Sequence, residues 1–174
     1  MNIRMYWDIE LPSYRRDTFL NESISLLAKI GDITNQTQIV QALNARERQG
    51  NTLLSQTLAL PHAQSGGILT TVIAYVKTKK PISDWQAGCT VDRFIFILLP
   101  EHLSNHESRE LKAFFRLLAD DRVMELLSTG SELAVKTMID NQQFTSHEGA
   151  VNGGNINPGS IGSQHHTYKS GGRE

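Results

Sequence analysis

The chain has 174 residues, of which 39% are hydrophobic, and this is enough apolar material for one domain with a real core. Its 17 basic and 18 acidic side chains give a formal net charge of −1, so no basic surface for nucleic acid or anionic lipid is expected. The single cysteine, Cys89, excludes an internal disulfide, and the longest apolar runs are too short to span a bilayer. We therefore expect a cytoplasmic protein without direct membrane insertion.

The first fifty residues predict one short strand followed by two helices. Residues 5–10 alternate between apolar and polar side chains, as in a half-buried strand. Apolar residues then recur at helical spacing over residues 20–28, with Asp17 placed to cap the helix. A second helix, capped by Thr34, is predicted to end near Arg46, which places this arginine at a helix end.

Three strands are predicted in the middle of the chain. The first two cover residues 52–60 and 68–75, and the third, residues 91–99, is almost entirely apolar after its start. Such a run is typical of a central strand that is covered on both faces. Because the first two strands follow one another with no helix between them, we expect a mixed sheet and not a parallel one.

The last part of the domain predicts helices. An apolar stripe over residues 111–118 indicates an amphipathic helix, Asp120 or Asp121 can cap the next one, and a last helix is predicted over residues 132–139. Helices therefore precede and follow the strands. This order predicts an α/β fold, a three-layer α/β/α sandwich with a mixed central sheet.

A change in composition divides the chain into a single domain, residues 1–145, and a tail, residues 146–174. Seven of the thirteen glycines lie in the tail, which lacks apolar density, so we expect it to be disordered. Its His165-His166 pair is too small a donor set for a metal site. We predict no metal site and no cofactor. The sequence also has no Walker-type glycine loop, which argues against a bound ATP.

His62 is the candidate reactive residue. It follows the apolar run and Pro61, which lacks a backbone donor and is expected to end the strand and place the histidine at its mouth. A neutral imidazole there is a nucleophile, and Arg46, upstream in the chain, would suit an anionic group arriving at it. The alternative is a strand-end histidine whose hydrogen bonds are satisfied.

The residues around His62 carry a family resemblance. They are the Arg46-Glu47 pair, Thr52, and the segment Leu58-Ala59-Leu60-Pro61-His62-Ala63, followed by Pro81-Ile82-Ser83-Asp84-Trp85. Together they resemble the active-site signature of the mannitol/fructose-type (type 2) enzyme IIA domains of the bacterial sugar phosphotransferase system. The resemblance covers residues 5–140 and implies the same three-layer fold with a mixed sheet.

The resemblance implies a phosphoryl carrier. His62 would accept a phosphoryl group from the phosphocarrier HPr and pass it to an enzyme IIB, and through it serve the membrane enzyme IIC in sugar or polyol uptake. Arg46 would clamp the phosphoryl oxygens, and Thr52 would either contribute its hydroxyl or hold the Arg46 loop, the alternative being that Thr52 serves only the local turn. The alternative is a regulatory module of the same fold, which controls a transporter or a transcriptional regulator by its phosphorylation state.

The family also carries a second histidine at the start of the helix after the buried strand, where it orients the phosphorylated ring. Alignment of the downstream helix places that position at or near Glu107. His106 is one residue away and is our candidate, with His102 as a second choice. The alternative for both is a solvated loop histidine.

Overall fold

The computed structural model describes residues 2–29 and 31–148, with side chains described as far as residue 141. Helix α5 continues past its predicted end at residue 139, while residues 149–174, including the His165-His166 pair, lie outside the described residues. The division into residues 1–145 and 146–174 stays a prediction. In chain order the elements are β1 (Ile3–Ile9), α1 (Arg16–Ala28), α2 (Gln36–Gln49), β2 (Leu58–Ala59), β3 (His62–Gln64), β4 (Val72–Thr78), β5 (Arg93–Leu99), α3 (Asn105–Leu118), α4 (Asp121–Thr129) and α5 (Glu132–Glu148).

The strands form one mixed sheet in the order β1-β4-β5-β2, with β3 also paired to β5. Strands β4 and β5 are antiparallel, whereas β1 pairs with β4, and β2 and β3 pair with β5, in parallel. The predicted α/β fold with a mixed sheet is therefore confirmed. The nearly continuous apolar sequence of β5 agrees with its central place, since neighbours flank it on both sides.

Two apolar clusters lie on opposite faces of the sheet, because successive strand side chains point to opposite faces. One face of β4 and β5 packs against α1 and α2, and the other packs against α3, α4 and α5. The first cluster contains the alternate strand residues Ala74, Val76, Phe94 and Phe96. The second contains Ile73, Tyr75, Ile95 and Ile97. This arrangement makes the three layers.

The segment before His62 differs from its predicted form. The expected strand over residues 52–60 is reduced to β2, and residues 52–57 form a loop. Pro61 interrupts the strand without ending it, because the Pro61 carbonyl accepts a hydrogen bond from the Ile97 N–H at 3.1 Å. The chain then continues as β3. His62 is therefore the first residue of this strand, and does not lie beyond the end of a strand as predicted.

Two predicted helix caps are wrong. Asn35 and not Thr34 caps α2, because the Asn35 side chain accepts from the Gln38 N–H, whereas the Thr34 N–H and hydroxyl both donate to the Gly67 carbonyl. Residue 67 lies so close to α2 that only glycine fits without a shift, since a Cβ there would lie 3.0 Å from the Cβ of Asn35. In α1 the N-cap is Arg15, without a side-chain hydrogen bond.

The later helices begin where the sequence places their caps. The Asp120 carboxylate accepts from the Arg122 and Val123 N–H groups, which confirms it as the cap of α4. At α3, Ser104 and Glu107 form a reciprocal capping box. Within residues 2–29 and 31–148, no helix combines the length and the apolar character needed to cross a membrane.

A buried arginine joins the sheet to the end of α4. Arg93 is 8% exposed, and its Nη1 donates to the Tyr75 hydroxyl at 3.0 Å and to the Gly130 carbonyl at 3.0 Å. The Tyr75 hydroxyl in turn donates to the Leu127 carbonyl at 2.8 Å. Burial raises the pKa of Tyr75 to about 12, so the hydroxyl keeps its proton. Arg93 therefore neutralises the carbonyl end of α4.

We expect Arg93→Ala to lower the free energy of unfolding by about 2–4 kcal/mol, because it removes the Arg93 hydrogen bonds to the Tyr75 hydroxyl and the Gly130 carbonyl and also removes a packed side chain. Urea unfolding followed by circular dichroism measures the change. Arg116→Ala, at an exposed arginine in the last turn of α3, is the matched control and should change stability by no more than about 0.5 kcal/mol. Equal effects of the two substitutions would contradict the role given to Arg93.

Candidate functional site

His62 lies half-buried at the start of β3, directly after the interruption at Pro61. Its register partner is Ile97 in the middle of β5, and the next residue, Ala63, is buried in the cluster with α1 and α2. The histidine is therefore attached to the central strand of the sheet while its ring keeps partial access to solvent. A group that must meet another protein needs both properties.

Both nitrogens of the His62 ring make hydrogen bonds. The Arg46 Nε–H donates to His62 Nε2 at 2.9 Å, and His62 Nδ1 lies 2.9 Å from the Leu60 carbonyl oxygen. Because a guanidinium only donates and a carbonyl only accepts, Nε2 must be the acceptor and Nδ1 must carry the proton. The neutral ring is thus held as the Nδ1–H tautomer, with a lone pair on Nε2.

Arg46 reaches this ring from the last turn of α2. The same guanidinium donates from Nη1 to the Gly50 carbonyl at 3.1 Å, and this hydrogen bond connects it to the residue that ends the helix. Two of its groups are therefore engaged, and its other N–H donors stay available for an anion at His62 Nε2. The structure brings Arg46 and His62 together, as their predicted joint role requires.

Thr52 makes no hydrogen bond to the histidine ring among the described residues; it is bound to Glu47. Its buried hydroxyl donates to the Glu47 carboxylate, and its carbonyl accepts from the Leu60 N–H at 2.8 Å. Thr52 thus connects the end of α2 to the residue two positions before His62. Glu47 was not among the predicted site residues, although its position beside Arg46 at a helix end was a visible signal.

The end of β3 is joined to the loop that precedes α3. The Gln64 side-chain amide donates to the Pro100 and Glu101 carbonyls at 3.1 and 3.0 Å. Because Gln64 lies two residues after His62 on the same strand, this contact fixes the loop beside the histidine strand. The predicted alternative histidine, His102, lies exposed in this loop.

Glu107 connects α3 to the start of β4. Its carboxylate accepts from the backbone and hydroxyl of Ser104 and, through Oε1, from the Thr71 N–H at 3.1 Å and the Thr71 hydroxyl at 3.0 Å. The Ser104 N–H first, then the Ser104 hydroxyl and the Thr71 N–H, lower the pKa of Glu107 to about 2. At the position where the resemblance expects a histidine, this chain therefore holds a permanently ionised carboxylate.

His106 lies at the start of α3 with 72% of its side chain exposed. Its Nδ1 lies 3.4 Å from Glu110 Oε2 one turn further along the same helix. The described contacts of His62 are with Arg46 and Leu60, so His106 is not a hydrogen-bond partner of the candidate carrier here. Among the described residues, no group of three or more His, Cys, Asp or Glu side chains is placed to hold a metal ion.

Comparison with known families identifies a match over most of the chain. Residues 8–142 match the sequence profile of the family described as phosphoenolpyruvate-dependent sugar phosphotransferase system, EIIA 2. One curated relative is the PTS system fructose-specific EIIABC component of Bacillus subtilis (strain 168), which is 23% identical over 134 residues, covering 75% of this chain and 21% of that protein. The chain thus spans about a fifth of the length of this relative.

Solved structures show the same fold. The nitrogen regulatory protein IIA-Ntr from Neisseria meningitidis is 24% identical, with a TM-score of 0.59, covering 78% of this chain and 92% of that chain. A complex of enzyme IIAMtl and phosphorylated enzyme IIBMtl from Escherichia coli matches with 18% identity, a TM-score of 0.54, and coverage of 80% and 94%. The crystal structure of IIA mannitol from Escherichia coli gives 18% identity, a TM-score of 0.52, and coverage of 79% and 95%.

The hydrogen bonds of His62 predict its tautomer. In protein labelled with ¹⁵N-histidine and studied at about pH 8.5, the ¹⁵N shifts of His62 should show a protonated Nδ1 and an unprotonated Nε2. Arg46→Ala removes the donor to Nε2, so the preference for this tautomer should weaken. A protonated Nε2 in the unchanged protein would contradict the assignment.

Glu107 predicts a pH-dependent contribution to stability. Its folded pKa of about 2 lies below the ordinary value of 4.5, so its contribution is complete above pH 4.5 and is lost as the pH falls towards 2. Because Glu107 is partly exposed, we discount the shift and expect Glu107→Gln to cost about 1 kcal/mol at pH 7. Urea unfolding should show this difference narrowing with acid. Glu125→Gln, at an exposed glutamate of α4, should show no such narrowing.

Proposed function

The chain belongs to the EIIA 2 family of the phosphoenolpyruvate-dependent sugar phosphotransferase system, and from this we propose that it carries a phosphoryl group on His62. Family membership and fold support a phosphotransfer role. We further propose that phosphorylated HPr is the donor and that an enzyme IIB is the acceptor. The observation that carries this proposal is the Arg46 guanidinium on Nε2 of a ring whose other nitrogen is held by the Leu60 carbonyl.

The proposed reaction uses Nε2 of His62 as the nucleophile. The Nε2 lone pair attacks the phosphorus, a P–N bond forms to His62, and the bond between phosphorus and the donor protein breaks. Nδ1 keeps its proton and its hydrogen bond to the Leu60 carbonyl, so the ring orientation is preserved. The reverse sequence of bonds, with a new acceptor, discharges the phosphorylated protein to enzyme IIB.

Arg46 changes partner in this proposal. Once Nε2 is bonded to phosphorus it no longer accepts a hydrogen bond, and the guanidinium donates to the phosphoryl oxygens instead. Preorganised donors of this kind stabilise the charge that moves through the transition state, and loss of one costs about 2–4 kcal/mol of barrier. Arg46 needs no large movement, because its donor already lies 2.9 Å from the atom that receives the phosphoryl group.

Thr52 and Glu47 act as positioning residues in this proposal. Their hydrogen bond joins the last turn of α2 to the segment before His62, so it sets where Arg46 stands relative to the ring. A direct contact of Thr52 with the phosphoryl group is the less favoured alternative, since its hydroxyl already donates to Glu47.

An enzyme IIB partner is supported by the Escherichia coli structure, in which enzyme IIAMtl is bound to phosphorylated enzyme IIBMtl. The fructose-specific relative from Bacillus subtilis suggests a sugar system, although the chain covers only 21% of that protein. We therefore propose that the chain passes phosphoryl groups to an enzyme IIB and so supports sugar or polyol uptake through the membrane enzyme IIC. A cytoplasmic location is part of this proposal.

A regulatory role is the second candidate, and one observation favours it. The Neisseria meningitidis structure with a TM-score of 0.59 is a nitrogen regulatory protein. In that role His62 would still be phosphorylated, but the phosphoryl state would control binding to a partner and no enzyme IIB would discharge it.

Incubation with enzyme I, HPr and ³²P-labelled phosphoenolpyruvate should give an acid-labile, base-stable adduct. His62→Ala should abolish it, whereas the tail variant His165→Ala/His166→Ala should keep it. Arg46→Gln should slow labelling by about 10²- to 10³-fold, and Arg116→Gln should not slow it.

His106 stays a predicted second histidine; given its pairing with Glu110, we expect His106→Ala to slow labelling less than Arg46→Gln does.

Addition of a panel of enzyme IIB domains then separates the two roles. Loss of label from the protein to one of them supports the carrier, and a stable adduct with every IIB, together with altered partner binding by His62→Asp, supports the regulator. Failure of the unchanged protein to accept label would exclude both.

A further inference from the structure

A second polar site lies between the first two helices. It is a groove of about 350 Å³ lined by Arg16, Asp17, Gln41, Asn44 and Arg48, and we call it the α1–α2 groove. None of these residues belongs to the site around His62. Gln41, Asn44 and Arg48 follow one another at spacings of three and four residues, so they share one face of α2.

The guanidinium of Arg16 makes no hydrogen bond or ion pair with any residue whose side chain is described, that is, as far as residue 141. The nearby carboxylate of Asp84 is already engaged, because it accepts from the backbone N–H of Arg16 at 2.6 Å and pairs with the Arg15 guanidinium at 3.2 Å. The Nε atom of Arg16 is buried without a hydrogen-bond acceptor among the described residues. Buried donors are nearly always paired in native proteins, so this guanidinium, which lines the groove, is left free to bind a ligand oxygen there.

Arg48 adds a second positive charge to the groove. Its side chain is exposed and makes no hydrogen bond or ion pair with any residue whose side chain is described. The two arginines outweigh the single carboxylate of Asp17, so the lining carries a net charge of +1. Because guanidinium groups present paired donors that match phosphate oxygens, the groove favours a phosphate over a neutral ligand.

The remaining lining residues suit hydroxyl groups. The amides of Gln41 and Asn44 both donate and accept, and the Asp17 carboxylate accepts, so all three can bind hydroxyls of the same ligand. The volume lies at the lower end of the range of small-molecule pockets, about 300–1,000 Å³. We propose that the α1–α2 groove binds a small phosphate monoester that carries several hydroxyl groups, such as a hexose phosphate.

Titration of the full chain with glucose 6-phosphate, followed by ¹H–¹⁵N correlation spectra, tests the proposal. Shifts should concentrate at the five groove residues, and glucose alone should cause none. Inorganic phosphate should bind at least about tenfold more weakly, because it cannot use the amides. Arg16→Gln and Arg48→Gln should each weaken binding of glucose 6-phosphate by about tenfold or more, and Arg116→Gln should not.

Both groove variants should unfold at the same temperature as the unchanged protein, since neither guanidinium has a described partner to lose. Absence of shifts with glucose 6-phosphate, equal binding of inorganic phosphate, or unchanged affinity in both arginine variants would overturn the proposal. Ligand binding at the groove is measured without phosphorylation of His62. The result therefore tests the groove independently of the proposed phosphoryl transfer.

Discussion

The site around His62 depends on the backbone hydrogen bonds that pair residues 58–64 with β5. Parallel pairing on β5 places β2 and β3 in line, and the Pro61 carbonyl carries the ladder across the gap between them. Because proline has no N–H, the pairing is incomplete at this one residue. The preceding Leu60 carbonyl accepts from the His62 ring, and this hydrogen bond sets the ring's orientation and its tautomer.

Two helix ends are bound to the strand region of the fold, and one of them reaches this segment. The last turn of α2 supplies Arg46 directly and is bound through Glu47 to the loop at Thr52. The first turn of α3 is bound through Glu107 to Thr71, at the start of β4. The hydrogen bonds at the end of α2 hold the arginine and the ring in their relative position without support from a ligand.

Much of the fold could be predicted because its signals are local. The apolar run of β5, the apolar stripe of α3 and the Asp120 cap each depend on neighbouring residues. One failure has a distant cause and another a local one. Thr34 does not cap α2 because Gly67, 33 residues away, takes its donors, and the predicted strand before His62 is a loop bound to its own later residues.

The residues of the site likewise include some that could be predicted from the sequence and some that could not. The pairing of Arg46 with His62 was predicted from a resemblance, because their separation of 16 residues has no local periodicity that would reveal a contact. The role of Glu107 could not be predicted, because its partner Thr71 lies 36 residues earlier in the chain. Glu47 carried a signal, since it lies beside Arg46, but only the structure shows its bond to Thr52.

The outer border of β2 has a consequence for how other proteins can approach. An edge strand normally offers free backbone groups to which a foreign strand can add. Here the Leu58 carbonyl accepts from Leu54 and Ser55, the Leu60 N–H donates to Thr52, and the Leu60 carbonyl accepts from the histidine ring. Strand addition is thus blocked at Leu58 and Leu60, directly before His62, and this protects the border from aggregation.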